Sequence, residues 1–348
     1  MDSLIDNYLK AEEIEAVRLL VKENERFIIT THVHADGDGL GSELGLYYAL
    51  KIMGKQVRIL NHNPVPASYD FLNEDGSIEV YDRKKHESVV SQVQVCIVID
   101  VGDWDRLRQL GSDIKKHELT LMCVDHHPAV EKFGEVNIVH PGASSTGEIV
   151  FLLLQALGID LSSEISTALY TAILTDTGSF RFTNTTVNSH QMAGYLIARG
   201  VDHIGVYQRI YEREPLGKIN LLTELLSNLN FECDSRVVWA AVSREMLKKH
   251  GVGAHDTDGL SDFPRRISGV MISILFLEID DSLTKISFRS NGVVSIHDLA
   301  QAFGGGGHPY ASGALVRRPM ARVISEFKEK ICPYYETKLT KSPREISS

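Results

Sequence analysis

Four short stretches of this sequence hold residues that could gather divalent cations. The first is His32-x-x-x-Asp36-x-Asp38. An imidazole and two carboxylates in one short loop can offer ligands to two neighbouring ions. Gly37 and Gly39, between and beside the acids, would relieve backbone strain in a tight loop. Asp-Gly pairs are also common in solvated turns, so this stretch alone leaves both readings open. A dinucleotide fingerprint is a poor fit to Gly37-Asp38-Gly39-Leu40-Gly41, because the third glycine is not at the required spacing and the acids would repel a pyrophosphate. The second stretch is Asp100, which closes the run Val95-Cys96-Ile97-Val98-Ile99 and is either a turn cap or a ligand shared by two ions. The third is Asp125-His126-His127. Adjacent side chains point apart, so one imidazole can ligate while the other faces a substrate, and an acid can orient an imidazole through its second nitrogen. The fourth is Asp176, at the end of a helical pattern, where a bare carboxylate opposes the helix dipole. A ligand role would account for that misfit.

The elements that must carry these residues alternate. Helical spacing runs over 12–23, 40–53, 146–157 and 163–175. Apolar, β-branched runs at 27–31, 57–60, 93–99, 119–124 and 136–139 read as strands. That alternation predicts an α/β domain with a parallel sheet buried on both faces. His32, Asp100 and Asp125 each follow a predicted strand directly, and ligands of open α/β sheets collect at the carboxyl ends of strands. Residues 187–229 read as helical throughout. Strands at 237–242, 269–279 and 284–289, a short helix near 296–302 and a closing helix from about 320 predict a smaller α/β domain. The expected organisation is a first domain over 1–200, a helical connector over 201–232, a second domain over 233–340 and a frayed tail over 341–348.

Composition narrows the partners. The chain has 348 residues, 43% hydrophobic and 24% charged, with a formal net charge of −10. This acidic balance argues against a protein that coats long DNA or RNA, but not against a short phosphorylated ligand in one local pocket. No run approaches a membrane span, and the acidic, amphipathic N-terminus lacks the features of a signal peptide. Cys96, Cys123, Cys233 and Cys332 form no C-x-x-C pair and read as reduced thiols, in keeping with a cytoplasmic protein.

Two later motifs belong with the first four: Phe288-Arg289-Ser290 and the run Gly304-Gly305-Gly306-Gly307-His308. Glycine amides can approach phosphate oxygens closely, although such a run can also be a flexible linker. Taken in order, the six features resemble the DHH phosphoesterases with a DHHA1 domain, most of all the oligoribonuclease and pAp phosphatase subgroup, over about residues 20 to 335. Ala35 departs from the pattern, since proline is common there. The resemblance implies one cation held by His32, Asp36 and Asp100, and a second held by Asp38, Asp100, His126 and Asp176, with Asp100 as bridge. It implies that Asp125 orients a histidine and that His127 lies beside the substrate phosphate. Mn²⁺ is the expected ion, with Co²⁺ or Mg²⁺ as alternatives.

Four aspartates and two divalent ions nearly cancel, so substrate phosphate needs further partners. Arg289, Ser290, Gly305, Gly306, Gly307, His308 and Arg181 are the candidates. The expected reaction is metal-assisted hydrolysis of short oligoribonucleotides from an end, or of 3′-phosphoadenosine 5′-phosphate (pAp), with the second domain closing over the substrate. Linear or cyclic dinucleotides such as pApA and cyclic di-AMP, pyrophosphate, and a non-catalytic sensor are the alternatives, and a homodimer is allowed. Ser144-Ser145-Thr146-Gly147-Glu148 reads as a helix cap, with phosphate binding as the alternative. Phe303 and Tyr310 are packing residues or base-stacking ones. His190, His203, His255 and His297 read as structural or surface residues.

Overall fold

The computed structural model describes residues 8–117, 119–127, 134–257 and 259–341. They divide into two compact units, 1–213 and 214–348. Among the described residues no helix is long and apolar enough to cross a membrane. The expected frayed tail from 342 onward lies outside the described residues.

The first unit runs α1 (Ala11–Glu23), β1 (Arg26–Thr31), α2 (Gly37–Ile52), β2 (Gln56–Asn61), β3 (Ile78–Val80), α3 (Arg83–Val90), β4 (Val95–Ile99), α4 (Arg108–Lys116), β5 (Thr120–Asp125), β6 (Val136–Val139), α5 (Thr146–Ala156), α6 (Ser163–Asp176), α7 (Val187–Ile197) and α8 (His203–Tyr211). Its six strands are all parallel, in the order β3-β2-β1-β4-β5-β6. The apolar runs feed two cores at once, because successive side chains point to opposite faces. Phe27, Ile29, Ile97 and Ile99 enter one core, while Ile28, Cys96 and Val98 enter the other. The order reverses between β1 and β4, the switch point at which open α/β sheets bind ligands.

Gly37 and Gly39 lie in the first turn of α2, not in the tight loop expected for them. Their role is close packing. A Cβ on Gly37 would meet the Thr175 side chain at 2.5 Å, and one on Gly41 would meet the Ala168 carbonyl at 2.2 Å. The amino-terminal half of α2 therefore lies directly on α6.

The second unit runs α9 (Leu216–Ser227), β7 (Asn230–Glu232), β8 (Val237–Val242), α10 (Arg244–His250), β9 (Ile272–Asp280), β10 (Leu283–Ser290), α11 (His297–Gln301), β11 (Gly306–His308), β12 (Ala311–Val316) and α12 (Met320–Lys341). Its sheet order is β11-β12-β10-β9-β8-β7, antiparallel except where β8 pairs with β9. Val323, Phe327 and Ile331 of α12 pack on one face, and Leu221 and Leu225 of α9 on the other. Cys96 and Cys123 are buried thiols, as expected. Cys233 and Cys332 are not: they form a disulfide with Cα atoms 5.4 Å apart. The turn after β7, where Cys233, Asp234 and Ser235 all have positive φ, presents one sulfur to α12.

Glu43, on α2, is fully buried. Asn61 Nδ2 donates to its Oε1 at 2.7 Å, while the Asn61 Oδ1 accepts from the Thr31 amide at 3.2 Å. This pair braces the end of β1 just before His32. Burial pushes the Glu43 carboxyl well above its ordinary value, outweighing the Asn61 hydrogen bond and the charge of His32. The folded protein then keeps a proton that the unfolded chain releases above about pH 4.3, so this group costs stability as pH rises. Glu43→Gln keeps the acceptor for Asn61 and removes the titration. The melting temperature of the variant minus that of the parent should be smallest near pH 4 and grow toward about pH 8. Thermal unfolding across that range checks this, and a flat difference contradicts it.

Candidate metal centre

Strand register alone brings three of the expected residues together. Thr31 lies opposite Ile99, and Ile99 opposite Val124. The residues that follow these three are His32, Asp100 and Asp125. Asp100 leaves its strand with φ 57, a left-handed conformation that aspartate tolerates better than most residues, and its amide still bonds the Val124 carbonyl at 3.0 Å. The Asp36 Oδ1 caps α2 by accepting from the Asp38 and Gly39 amides. Asp38 thereby sits in the first turn of α2, and Asp176 ends α6, the helix packed beneath it.

The result is one cluster made of overlapping sets. His32, Asp36 and Asp100 form one set whose ligand atoms lie within 4.8 Å of one another. Asp38, His126 and Asp176 form another, and Asp100, His126 and His127 a third. His32 Nε2 stands 3.4 Å from Asp100 and 3.8 Å from Asp36. His126 Nε2 stands 3.7 Å from both Asp38 and Asp100 and 3.5 Å from Asp176. His127 Nδ1 is 2.8 Å from the Asp125 Oδ1 and 3.3 Å from Asp100. The other Asp125 oxygen is buried and has no hydrogen-bond partner among the described residues.

The amino terminus of α5 was read as a cap, and Ser145 does cap it, its Oγ accepting from the Glu148 amide. Its further role had no sequence signal. The Thr146 and Gly147 amides donate to the two oxygens of Asp38 at 2.7 and 2.9 Å. Thr146 Oγ1 donates to Asp100 at 3.1 Å, and Ser42 Oγ donates to Asp38 at 3.2 Å. Glu148, fully buried, fixes the approach by accepting from the Ser144 amide and hydroxyl. A helix amino terminus carries partial positive charge, so α5 anchors two carboxylates that would otherwise repel each other.

The electrostatics fit a cation site. Burial, then the charges of Asp100 and Asp176, push Asp38 well above the ordinary carboxylate range. Burial, then the charges of Asp100 and Asp36, push Asp176 up to about 7. Burial opposes ionisation of Asp100 as well, but hydrogen bonds from His127 and His32 outweigh it and hold Asp100 below its usual value. For His32, burial is outweighed by hydrogen bonds to Asp100 and Asp36, which raise it to about 10. Bonds to Asp100 and Asp125 raise His127 to about 10. Protons on the histidines and on the raised carboxyls would offset the negative charge gathered here. Divalent cations would do the same with a donor set of mixed imidazole and carboxylate, which suits borderline-to-hard ions.

The other candidate residues fall in the second unit, apart from Arg181. Arg181 is exposed, its Nε bonded to the Gly178 carbonyl at 2.8 Å. In the second unit, register aligns the late motifs. Arg289 of β10 lies opposite Ala311 of β12, and Ala311 lies opposite His308 of β11. Gly306 and Gly307 are thus strand residues, not a linker, and a Cβ on Gly305 would meet the Gly313 carbonyl at 2.0 Å. Ser290 is buried, and its Oγ accepts from the Gly292 amide at 3.4 Å. Arg265, which no motif had marked, joins this group: it contacts the Asp262 carboxylate at 3.3 Å and the Ser290 carbonyl at 3.4 Å, and Arg289 Nε stands 3.8 Å from the same carboxylate. Phe303 is buried in the core, and Tyr310 is exposed.

Residues 26–173 match the model of the DHH family, N-terminal domain, and residues 234–336 match the DHHA1 domain. A bifunctional oligoribonuclease and PAP phosphatase NrnA from Thermus thermophilus is 31% identical over 87% of this chain and 89% of its own length. The Bacillus subtilis protein of the same name is 29% identical over 94% of this chain and all of its own. The crystal structure of an exopolyphosphatase-related protein from Bacteroides fragilis superposes with a TM-score of 0.88 at 27% identity, covering 94% of this chain and 98% of that one.

A ligating imidazole must be neutral, so metal loading displaces protons. With His32 raised to about 10, Mn²⁺ binding at pH 7 should release at least one proton, and affinity should rise with pH. Titration calorimetry in buffers of different ionisation heat measures this. Zero release, or uptake, contradicts the assignment.

Proposed function

We propose that this chain, which belongs to the DHH phosphoesterase family and carries a DHHA1 domain, hydrolyses phosphate esters of small nucleotides. The substrates we propose are short oligoribonucleotides, shortened from an end to mononucleotides, and pAp, converted to AMP. The similarity to the Thermus and Bacillus proteins supports both substrates, and it extends over most of each chain. The observation that carries the reading is the position of Asp100, which is shared by the set of His32 and Asp36 and by the set of His126 and His127.

Two divalent cations, Mn²⁺ foremost, are proposed for the centre, held by His32, Asp36, Asp38, Asp100, His126 and Asp176. When bound, they supply neutralising charge for the phosphoryl oxygens and a water acidic enough to attack at neutral pH. The chain's own residues do the rest. The α5 amides hold Asp38 in place. Asp125 holds the Nδ1 edge of His127, and that imidazole is proposed to give a proton to the departing oxygen. Arg289 and His308, aligned by strand register, are proposed to grip substrate phosphate, with Ser290 and the glycine amides of 305–307 forming the floor and Arg181 a further cation. We propose the cytoplasm as the protein's location on the ground of the proposed substrates alone, since the Cys233–Cys332 disulfide removes the support that four reduced thiols would give.

The test is turnover with Mn²⁺ on pAp, pApA, a 5-mer RNA and pyrophosphate side by side. Release of mononucleotides from the 5-mer and of phosphate from pAp is expected, and turnover of pyrophosphate alone overturns the reading. Asp100→Ala should lose at least about 100-fold in rate, since even outer-shell partners of metal ligands are worth about 10–100-fold. His308→Ala should raise KM or slow turnover with full metal content. Loss of metal in that variant, measured by elemental analysis, contradicts the division of roles.

A further inference from the structure

We propose that a cavity between α6 and α8 receives the nucleobase of the substrate, an inference that rests on the function proposed above. The cavity measures about 370 Å³, within the range of small-molecule sites, and its walls all lie in the first unit. One helix end connects it to the metal centre. Asp176 is the last residue of α6. Tyr170 and Leu174 precede it on that helix, Ser179 and Phe180 follow it, and all four line the cavity. At 1.5 Å and about 100° per residue, Tyr170 stands about 9 Å along the axis from Asp176 and about 120° round it, so a sugar and base would reach the cavity round the helix end, past Ser179 and Phe180.

The wall after Asp176 is rigidly held. Gly178, Ser179 and Phe180 have φ of 55, 60 and 63, left-handed values that serine and phenylalanine rarely adopt. Thr177 pins the loop, its Oγ1 donating to the Ile173 carbonyl at 2.6 Å and accepting from the Phe180 amide at 3.1 Å. Strain of this kind persists where the surroundings enforce it, and it gathers at ligand sites. The Phe180 ring is stacked against His190 with centroids 4.9 Å apart.

The opposite wall, on α8, leaves apolar surface in water. Ile204 is 59% exposed and Tyr207 40% exposed. A base would cover them, because every base has a π face that stacks on such surfaces whatever its identity. Gln208 also lines the cavity, and its amide can offer both a donor and an acceptor to a base edge. Glu212, also in the lining, repels phosphate. The cavity therefore suits the uncharged end of a nucleotide whose phosphate lies at the metal centre.

Tyr207→Ala removes part of a wall, and Ile204→Trp fills the space; both sites are exposed, so folding is not at stake. Full-length, Mn²⁺-loaded protein is assayed on pAp and on ribose 3′,5′-bisphosphate, which carries the same phosphates without a base. The parent should prefer pAp in kcat/KM, and each variant should lose at least about fivefold of that preference, mainly through KM. A preference unchanged in both variants overturns the subsite. Adenosine binding, read by saturation-transfer NMR, should be detected with the parent and lost with Ile204→Trp even if pAp is not a substrate. A parent inert toward pAp would thus sink the proposed function alone, whereas adenosine binding equally to parent and variant would sink the subsite.

Discussion

Like charges gathered at the carboxyl ends of parallel strands are the constraint around which the first unit is built. Asp38 and Asp176 are each driven toward protonation by burial and by neighbouring carboxylates. A chain that placed them together without compensation would lose much of its modest stability. The fold compensates with fixed dipoles and movable protons. The first amides of α5 face Asp38, Thr146 reaches Asp100, and His32 and His127 flank Asp100. The dipoles are permanent, whereas the protons can leave when a cation arrives. The centre is thus formed in advance of its ions.

Much of this arrangement was legible because parallel sheets translate sequence into space simply. Strands entering from alternating helices share direction, so residues just past their ends become neighbours. His32, Asp100 and Asp125 could be placed together from the apolar runs before them, and the register of Thr31, Ile99 and Val124 shows why. Asp176 was legible through its misfit with a helix end. What could not be read was work done by backbone or by shape. The Thr146 and Gly147 amides carry no residue signature. Gly37 and Gly39 suggested loop freedom, whereas contact with Thr175 and Thr31 is what demands them. Strand β3 and helices α3, α4 and α10 are too short or too polar to stand out in a periodic reading.

The second unit shows the same divide. Strands β8, β9 and β10 were visible as apolar runs, but β12 was not read as a strand, and the glycine run concealed β11, since glycine has little strand preference and only pairing with β12 reveals it. Arg265 was silent because arginine is ordinary on a surface; its meaning comes from standing with Arg289 at one carboxylate, Asp262. Cysteine spacing likewise gave no clue to Cys233 and Cys332, which are 99 residues apart and meet only once the turn after β7 lies on α12.

The glycine face of α2 has a consequence for which ions the centre can accept. Asp36 and Asp38 ride on α2, Asp176 rides on α6, and those two helices approach until no methyl group fits between them. The gap across which opposing carboxylates face each other is therefore set by hard contact between two rods, not by pliable loops. Such a gauge cannot contract around a small ion or widen for a large one without moving a helix. Discrimination by ionic radius would then reside in residues that never touch the metal.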